Sequence, residues 1–424
     1  MRYSVAGAGK QEVITVGGTN IKELPRTGVM FADLSPTQVA RLKSDGATVN
    51  KVGKTKAGIS PPVQVSSVPS YTPTQLAELI GVMDVQGLTI PPLYGQSIFV
   101  AVLDTGIRES HEQMGGMIVY SKNFTDDKME DGYDHGTGVA SVIRAVAPYA
   151  GILNMKVLDR KGSGSDEWVV DAIEECMALR EISPPNAPWI INLSIGSEDS
   201  GDPNDVLRIA SRAAVAQGIW VIAAAGNEGP LPETVMSPAC DPNVVAVGSL
   251  SVDPYGVSDF SSRGPTEEGL IKPDLMMFGE NVIAASSKDD RAVAAKSGTS
   301  FAAPFVSTML GLCAEGAVVY KNLRVPSPIN AMLDGSNGYE QVTDISKYLE
   351  GAANLLCVKP EGMNGNHKDN NYGYGMLSGT LTAQSLGAKQ SNKTGISGIS
   401  SAVSGLVSVG MFSTMMKAMF IKGA

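Results

Sequence analysis

Residues 98–106 read IFVAVLDTG: six apolar residues, then an aspartate and a threonine-glycine pair. Six residues is strand length, and without polar alternation both faces of that strand must be buried. Four more runs are of strand length and mostly apolar: 152–157 (ILNMKV), 189–193 (WIINL), 219–223 (IWVIA) and 244–247 (VVAV). Helix-like segments, Asp166–Arg180 and Asp205–Gln217 among them, alternate with these runs. Apolar strands interleaved with helices specify an α/β fold, a doubly wound and mostly parallel sheet covered on both faces. Such sheets collect their functional groups beyond the carboxyl ends of the strands, which is where Asp104 stands.

Two further segments carry reactive side chains. His135-Gly136-Thr137-Gly138 is expected to open one helix, and Ser297-Gly298-Thr299-Ser300-Phe301-Ala302-Ala303-Pro304 another. A serine hydroxyl is a poor nucleophile until an imidazole removes its proton, and a carboxylate must hold that imidazole in the right tautomer. Asp104, His135 and Ser300 are the residue types for those three roles. Two other readings fail. Asp104-Thr105-Gly106 is also the tripeptide of aspartic proteases, but those need two facing aspartates and the chain has one such tripeptide. Residues 136–140 (GTGVA) suggest a dinucleotide loop, yet Asp131-Gly132-Tyr133-Asp134 precedes them instead of a buried strand. Of the three histidines, His111 reads as structural and His367 lies in the polar run Asn364–Asn371, so His135 alone has suitable neighbours.

With these blocks in view, the chain resembles the subtilisin-like serine proteases, the subtilases, from about Pro73 to Leu386. VAVLDTGI (100–107), HGTGVAS (135–141), INLSIGS (191–197), AAAGNEG (223–229) and SGTSFAAP (297–304) match the family's blocks in family order. The resemblance implies a serine endopeptidase acting on protein or peptide substrates, with Asp104, His135 and Ser300 as catalytic triad. It implies that Asn227 and the Ser300 backbone N–H form the oxyanion hole; losing such an asparagine in subtilisin costs about 10²–10³ in kcat. Ser194 and Gly196 correspond to the strand that pairs with substrate backbone, Ala224, Ala225 and Gly226 to the facing wall of the primary pocket, and Met236 by spacing to its floor. Extended peptide would then bind by strand addition.

The chain also departs from the family. Gly138 stands where a second histidine is usual, and Phe278, in LMMFGEN, where proline is common. Eleven residues separate His135 from Ala147-Pro148, a run that in many relatives contains an inserted calcium loop, so the usual tight calcium site is expected to be missing and no particular cofactor is assigned. Asp126-Asp127 and Asp289-Asp290 read as solvated loop charges, not ligands.

Around this unit the chain divides into residues 1–55, a propeptide- or inhibitor-like α/β domain; 56–74, a linker; 75–387, the catalytic domain; 388–405, a Ser/Gly/Lys-rich linker; and 406–424, an apolar tail. In the first domain Glu12–Val16 and Gly28–Ala32 read as strands. Ser35, Pro36 and Gln38 open a helix with a capping box, Gly46 stops it, and Ala47–Val52 alternates like a returning strand. Residues 53–74 lack helical period and read as an exposed connector. In the tail, Met411, Phe412, Met415, Met416, Met419 and Phe420 would form one stripe of a helix that docks on a partner protein, another copy or the catalytic domain.

Over 424 residues the net charge is −10 with no Lys/Arg-rich run, which argues against nucleic acid as a partner. The four cysteines, Cys176, Cys240, Cys313 and Cys357, stand too far apart for a zinc motif and read as buried free thiols. No transmembrane run and no recognisable signal peptide is read, so a cytoplasmic or particle-associated protein is expected, with secretion by a non-standard route as the alternative. The competing function is that of a protease fold kept as a structural or interaction component of a larger assembly. Against it, no residue of the triad or oxyanion hole is replaced.

Overall fold

The computed structural model describes residues 1–57, 69–87, 92–183, 187–253, 255–318, 357–358 and 368–385. His367, the linker 388–405 and the tail 406–424 lie outside the described residues, as does the side chain of Cys357.

The N-terminal unit contains β1 (Arg2–Ala6), α1 (Lys10–Thr15), β2 (Thr19–Leu24), β3 (Val29–Asp33), α2 (Pro36–Ser44) and β4 (Thr48–Lys51). Its antiparallel sheet has the order β2-β3-β1-β4. α2 starts as expected: Ser35 Oγ accepts from Gln38 N at 3.4 Å and Gln38 Oε1 from Ser35 N at 2.7 Å. The expected strand at Glu12–Val16 is instead helix α1, with the first strand earlier at Arg2–Ala6. The β-branched run misleads there because Gly9 caps a helix, its N–H donating to Glu12 Oε2 at 2.6 Å, and only Val13 of that helix is buried.

Strand β3 is buried on both faces, and this joins the two units. Met30 and Ala32 pack with Val5, Val13, Leu34, Leu42 and Val49 in a small core of their own. Val29 and Phe31, pointing the other way, belong to the large core.

The connector read as exposed contains a paired strand, β5 (Lys54–Ala57), in which Thr55 is fully buried while Lys54 and Lys56 are exposed. It leads to α3 (Pro73–Leu79), whose capping box of Thr72 and Gln75 begins one turn inside the expected linker, and to α4 (Val82–Gln86). Then follow β6 (Phe99–Asp104), β7 (Ile118–Asn123), α5 (Gly136–Val146), β8 (Gly151–Lys156), β9 (Ser163–Ser165), α6 (Asp166–Glu181), β10 (Trp189–Leu193), β11 (Ile195–Gly196), α7 (Val206–Ala216), β12 (Ile219–Ala224) and β13 (Val245–Val252). The remaining described elements are β14 (Tyr255–Val257), β15 (Leu275–Phe278), β16 (Val282–Ala285), β17 (Val293–Lys296), α8 (Thr299–Val318), β18 (Cys357–Val358), β19 (Met376–Leu377) and a last helix, α9 (Gly379–Ser385).

The large sheet runs β18-β19-β15-β13-β12-β10-β6-β8-β7, with β14 paired to β13. From β19 to β7 every neighbouring pair is parallel, and only β18 and β14 pair antiparallel. This is the doubly wound sheet expected. After β6 the chain builds β7 and β8 on one side, then crosses to β10 and beyond on the other. The strand order therefore reverses between β6 and β10, and the crevice of such a fold opens beyond their carboxyl ends. Asp104 ends β6 and Ser194 follows β10. Among the described residues no helix is long and apolar enough to cross a membrane.

Two charged clusters hold this frame. Arg2, Lys22 and Arg26 of the N-terminal unit meet carboxylates on one face of α6: Arg2 bonds Glu167 at 2.7 and 2.8 Å, Lys22 pairs with Asp171, and Arg26 reaches Glu174 at 3.3 Å and Glu181 at 2.8 Å. The Thr27 N–H also donates to Glu174 at 2.9 Å. In the core, Asp274 accepts from Lys272 Nζ at 2.6 Å, from Lys368 Nζ at 2.5 Å and from Ala246 N at 2.7 Å. Burial pushes the Asp274 carboxyl up, but the two ammonium groups outweigh it and hold it below the ordinary aspartate range. Asp274→Ala should cost about 3–5 kcal/mol, because it strands Lys272 without its counter-charge. A depressed carboxyl contributes its full stability above the ordinary aspartate value and loses it as pH falls through the folded-state value. The difference in Tm between wild type and Asp274→Ala should therefore be constant near neutrality and shrink below about pH 4.

Candidate active site

Asp104 and His135 meet at the carboxyl end of β6. His135 caps α5, and its Nδ1 lies 2.7 Å from Asp104 Oδ1, with both side chains essentially out of solvent. The approach depends on Gly136: a Cβ there would lie 2.3 Å from the Gly106 carbonyl oxygen and 3.1 Å from Asp104 Oδ1. A carboxylate can only accept, so Nδ1 carries the hydrogen and Nε2 the lone pair. Among the described residues His135 Nε2 has no hydrogen-bond partner. The imidazole is packed edge-on against Phe301, centroids 5.4 Å apart, which sets it beside the start of α8.

Ser300 lies in the first turn of α8 and is fully buried. Its hydroxyl donates to the Ser194 carbonyl at 3.0 Å, not to His135, and the Ser194 hydroxyl returns the bond to the Ser300 carbonyl at 2.8 Å. Asn192 Nδ2 donates to Ser194 Oγ at 3.0 Å and takes the Ser307 hydroxyl on Oδ1 at 2.8 Å, so β10 and α8 are locked together. Asn227 Oδ1 accepts from Thr299 N at 2.9 Å and from Thr299 Oγ1 at 3.1 Å. A backbone N–H must face an oxygen, so this contact fixes the amide's orientation with its NH₂ on the other side.

The residues expected to form the primary pocket also converge. Met236 N–H donates to the Ala225 carbonyl at 2.9 Å, and Ser197 and Ser237 exchange two backbone bonds of 2.9 and 3.0 Å, tying the Met236 segment to both β11 and the end of β12. A Cβ on Gly226 would stand 2.7 Å from Met236 Cγ, and one on Gly196 would stand 3.2 Å from Met236 Cβ. Ala224 ends β12 and is buried with Ala225.

Beside these residues runs β5. It pairs antiparallel with β11, Ala57 opposite Ile195 and Lys56 opposite Gly196, and antiparallel with β9, Thr55 opposite Gly164. Its direction carries it along β11 toward Ser194, the residue bonded to Ser300.

Of the other sequence expectations, His111 is buried, its Nε2 2.9 Å from the Ala292 carbonyl. Cys176, Cys240 and Cys313 are buried free thiols. At Gly138 a Cβ would meet Phe301 and the Ala285 carbonyl, and also the Lys296 stem at 3.2 Å. Lys296 thus takes the space a second histidine would need, and its ammonium pairs with Asp134 at 3.1 Å, next to His135.

Sequence reasoning passed over Asp131. Buried under the site, its Oδ1 accepts from Thr105 Oγ1 at 2.8 Å, Asp134 N at 2.9 Å and His135 N at 3.4 Å, and its Oδ2 from Thr137 N at 3.0 Å and Thr137 Oγ1 at 2.6 Å. One carboxylate therefore ties the aspartate block to the histidine block, and Thr105 Oγ1 adds a bond from Gly136 N at 2.9 Å. The signal was its position, four residues before His135 in a turn of polar residues and glycine.

A buried imidazole held by a carboxylate, beside a serine at a helix start and at the switch point of a parallel sheet, defines the serine hydrolase class of α/β protein. Within that class the chain belongs to the subtilase family, Peptidase_S8, whose model matches residues 95–375. Serine protease AprX of Bacillus subtilis is 34% identical over 217 residues, 46% of this chain and 49% of that protein. The major intracellular serine protease of the same organism is 36% identical over 259 residues, 56% of this chain and 75% of that protein. An intracellular serine protease of Paenibacillus polymyxa is 34% identical over 238 residues, 51% of this chain and 67% of that protein. The chain thus spans about half the length of AprX and more of the other two.

Asp131→Asn turns an amide NH₂ toward donors and loosens both blocks. It should lower kcat for a peptide substrate about ten- to hundred-fold with KM nearly unchanged, as expected when a reacting group is displaced without loss of binding surface. Steady-state kinetics beside a thermal melt would check this.

Proposed function

We propose that the chain is a serine endopeptidase in which Ser300 is the nucleophile, His135 the general base, Asp104 the group that orients it, and Asn227 with the Ser300 N–H the oxyanion hole. The observation that carries this reading is the buried Asp104–His135 hydrogen bond, which turns Nε2, without a hydrogen-bond partner among the described residues, beside the first turn of α8. On substrate binding the Ser300 hydroxyl turns from the Ser194 carbonyl to His135 Nε2 and gives up its proton as Oγ attacks the peptide carbonyl. The imidazolium, stabilised by Asp104, then protonates the leaving amine. The negative charge on the carbonyl oxygen meets the Asn227 amide, preoriented by Thr299, at the positive end of α8. Ser300→Ala should leave only the residual catalysis of binding and oxyanion stabilisation, a loss of at least about 10³ in kcat. Undiminished hydrolysis by that variant would overturn the assignment.

We further propose that Ser194, Gly196 and residues 224–226 bind substrate backbone and the side chain preceding the cut bond, with Met236 limiting that pocket to small residues. Met236→Gly should raise kcat/KM for phenylalanine over alanine at that position by about ten-fold or more. A panel of peptides varied only there measures the ratio.

The N-terminal unit then acts as an intramolecular inhibitor. β5 occupies the strand-addition track, bonded on both edges, and ion pairs along α6 hold the unit in place. Those pairs are partly exposed, so salt screens them. Replacing Arg2, Lys22 and Arg26 together by alanine should raise peptide turnover by the full chain several-fold and flatten its dependence on salt. Turnover equal to wild type at every salt concentration would remove the inhibitory role.

A further inference from the structure

Strand β5 is a peptide of known sequence lying in the cleft, and its side chains alternate. Lys54 and Lys56 are exposed; Thr55 is fully buried. The Thr55 hydroxyl donates to Asp166 Oδ1 at 2.6 Å. With β5 in place Asp166, the first residue of α6, is 4% exposed, so its carboxylate is withdrawn from solvent beneath Thr55. Gly164 faces Thr55 across the pairing with β9, and a Cβ there would stand 2.3 Å from the Val157 carbonyl oxygen, so glycine lets β9 take this position beside β5. Gly53 presses on the other oxygen: a Cβ there would stand 2.4 Å from Asp166 Oδ2.

We propose that Asp166 is a specificity residue of the cleft, selecting peptides that carry threonine or serine at the position Thr55 occupies, two residues before the one that pairs with Ile195. The inference rests on the reading of the cleft as a peptide site and names the substrate class that the site takes. A buried acid left without a partner is costly, whereas a hydroxyl reaching it satisfies both groups. Valine has the shape of threonine and cannot make the bond, so the two should be separated by chemistry alone. Burial raises the Asp166 carboxyl above the ordinary aspartate range against the opposing pull of the Thr55 hydrogen bond, which shows how far the subsite is withdrawn from water. The position also accounts for Thr55 within β5, where its neighbours Lys54 and Lys56 make no buried contact.

The test compares two peptides on the purified full chain, Lys-Thr-Lys-Ala and Lys-Val-Lys-Ala, each followed by the same cleavable segment. Wild type should favour threonine over valine by about ten-fold or more in kcat/KM, the size of one hydrogen bond to a buried acid. In Asp166→Ala the threonine-to-valine ratio should fall to within about two-fold of unity, the ratio being read within one variant and so independent of its overall rate. Asp166→Asn keeps an acceptor oxygen and should retain the preference, a second variant of nearly unchanged volume should alanine fail to fold. A ratio near one in wild type, or a ratio that survives in Asp166→Ala, overturns the proposal and leaves the protease reading intact. Failure of both the full chain and the Arg2, Lys22 and Arg26 triple-alanine variant, in which the hold on β5 is weakened, to cleave either peptide or any other overturns the protease reading and this proposal with it.

Discussion

The 2.7 Å hydrogen bond between Asp104 and His135 joins the end of a central strand to the start of a helix, and the arrangement around it follows from keeping that bond short and dry. Two polar groups removed from water must satisfy each other, so the strand end and the helix start have to stay in one fixed relation. Asp131 supplies it by taking donors from both segments at once. Gly136 permits the close approach, and Phe301 closes the remaining side. The parallel sheet then brings Ser194 and Ser300 to the same crevice, because the strand order reverses between β6 and β10.

The same crevice has two open strand edges, β9 and β11, and an unpaired edge recruits a partner strand. In this chain β5 fills that place. Its attachment divides into three parts with different physics: backbone pairing on both edges, the buried Thr55–Asp166 contact, and the charged contacts along α6 that hold the domain carrying it. The double-sided burial of β3 adds an apolar component, since Val29 and Phe31 are part of the large core. Docking of the N-terminal unit is therefore neither purely electrostatic nor purely hydrophobic.

Much of this was legible in the residues. Strand runs such as 189–193 matched their observed bounds because a strand buried on both faces has no competing period. The Ser35 capping box marked α2 because capping is local chemistry. Where the sequence misled, tertiary context decided. Glu12–Val16 has the composition of a strand but is a helix capped at Gly9, and Lys54–Ala57 has the composition of a solvated connector but is paired on both edges by strands more than a hundred residues away. Asp131 and Asp166 escaped notice for a related reason: an aspartate in a polar stretch reads as a surface charge until its donors, Thr137 and His135 in one case and Thr55 in the other, are brought to it by the fold.

The central claim is that Ser300 is activated by His135 in this cleft. It is tested most directly by treating the full chain with a fluorophosphonate and mapping the adduct by peptide mass spectrometry. The account predicts a single adduct on Ser300 that disappears in His135→Ala while the fold, followed by thermal melting, is retained. An adduct on another residue, or equal labelling of Ser300 when His135 is replaced, would contradict it.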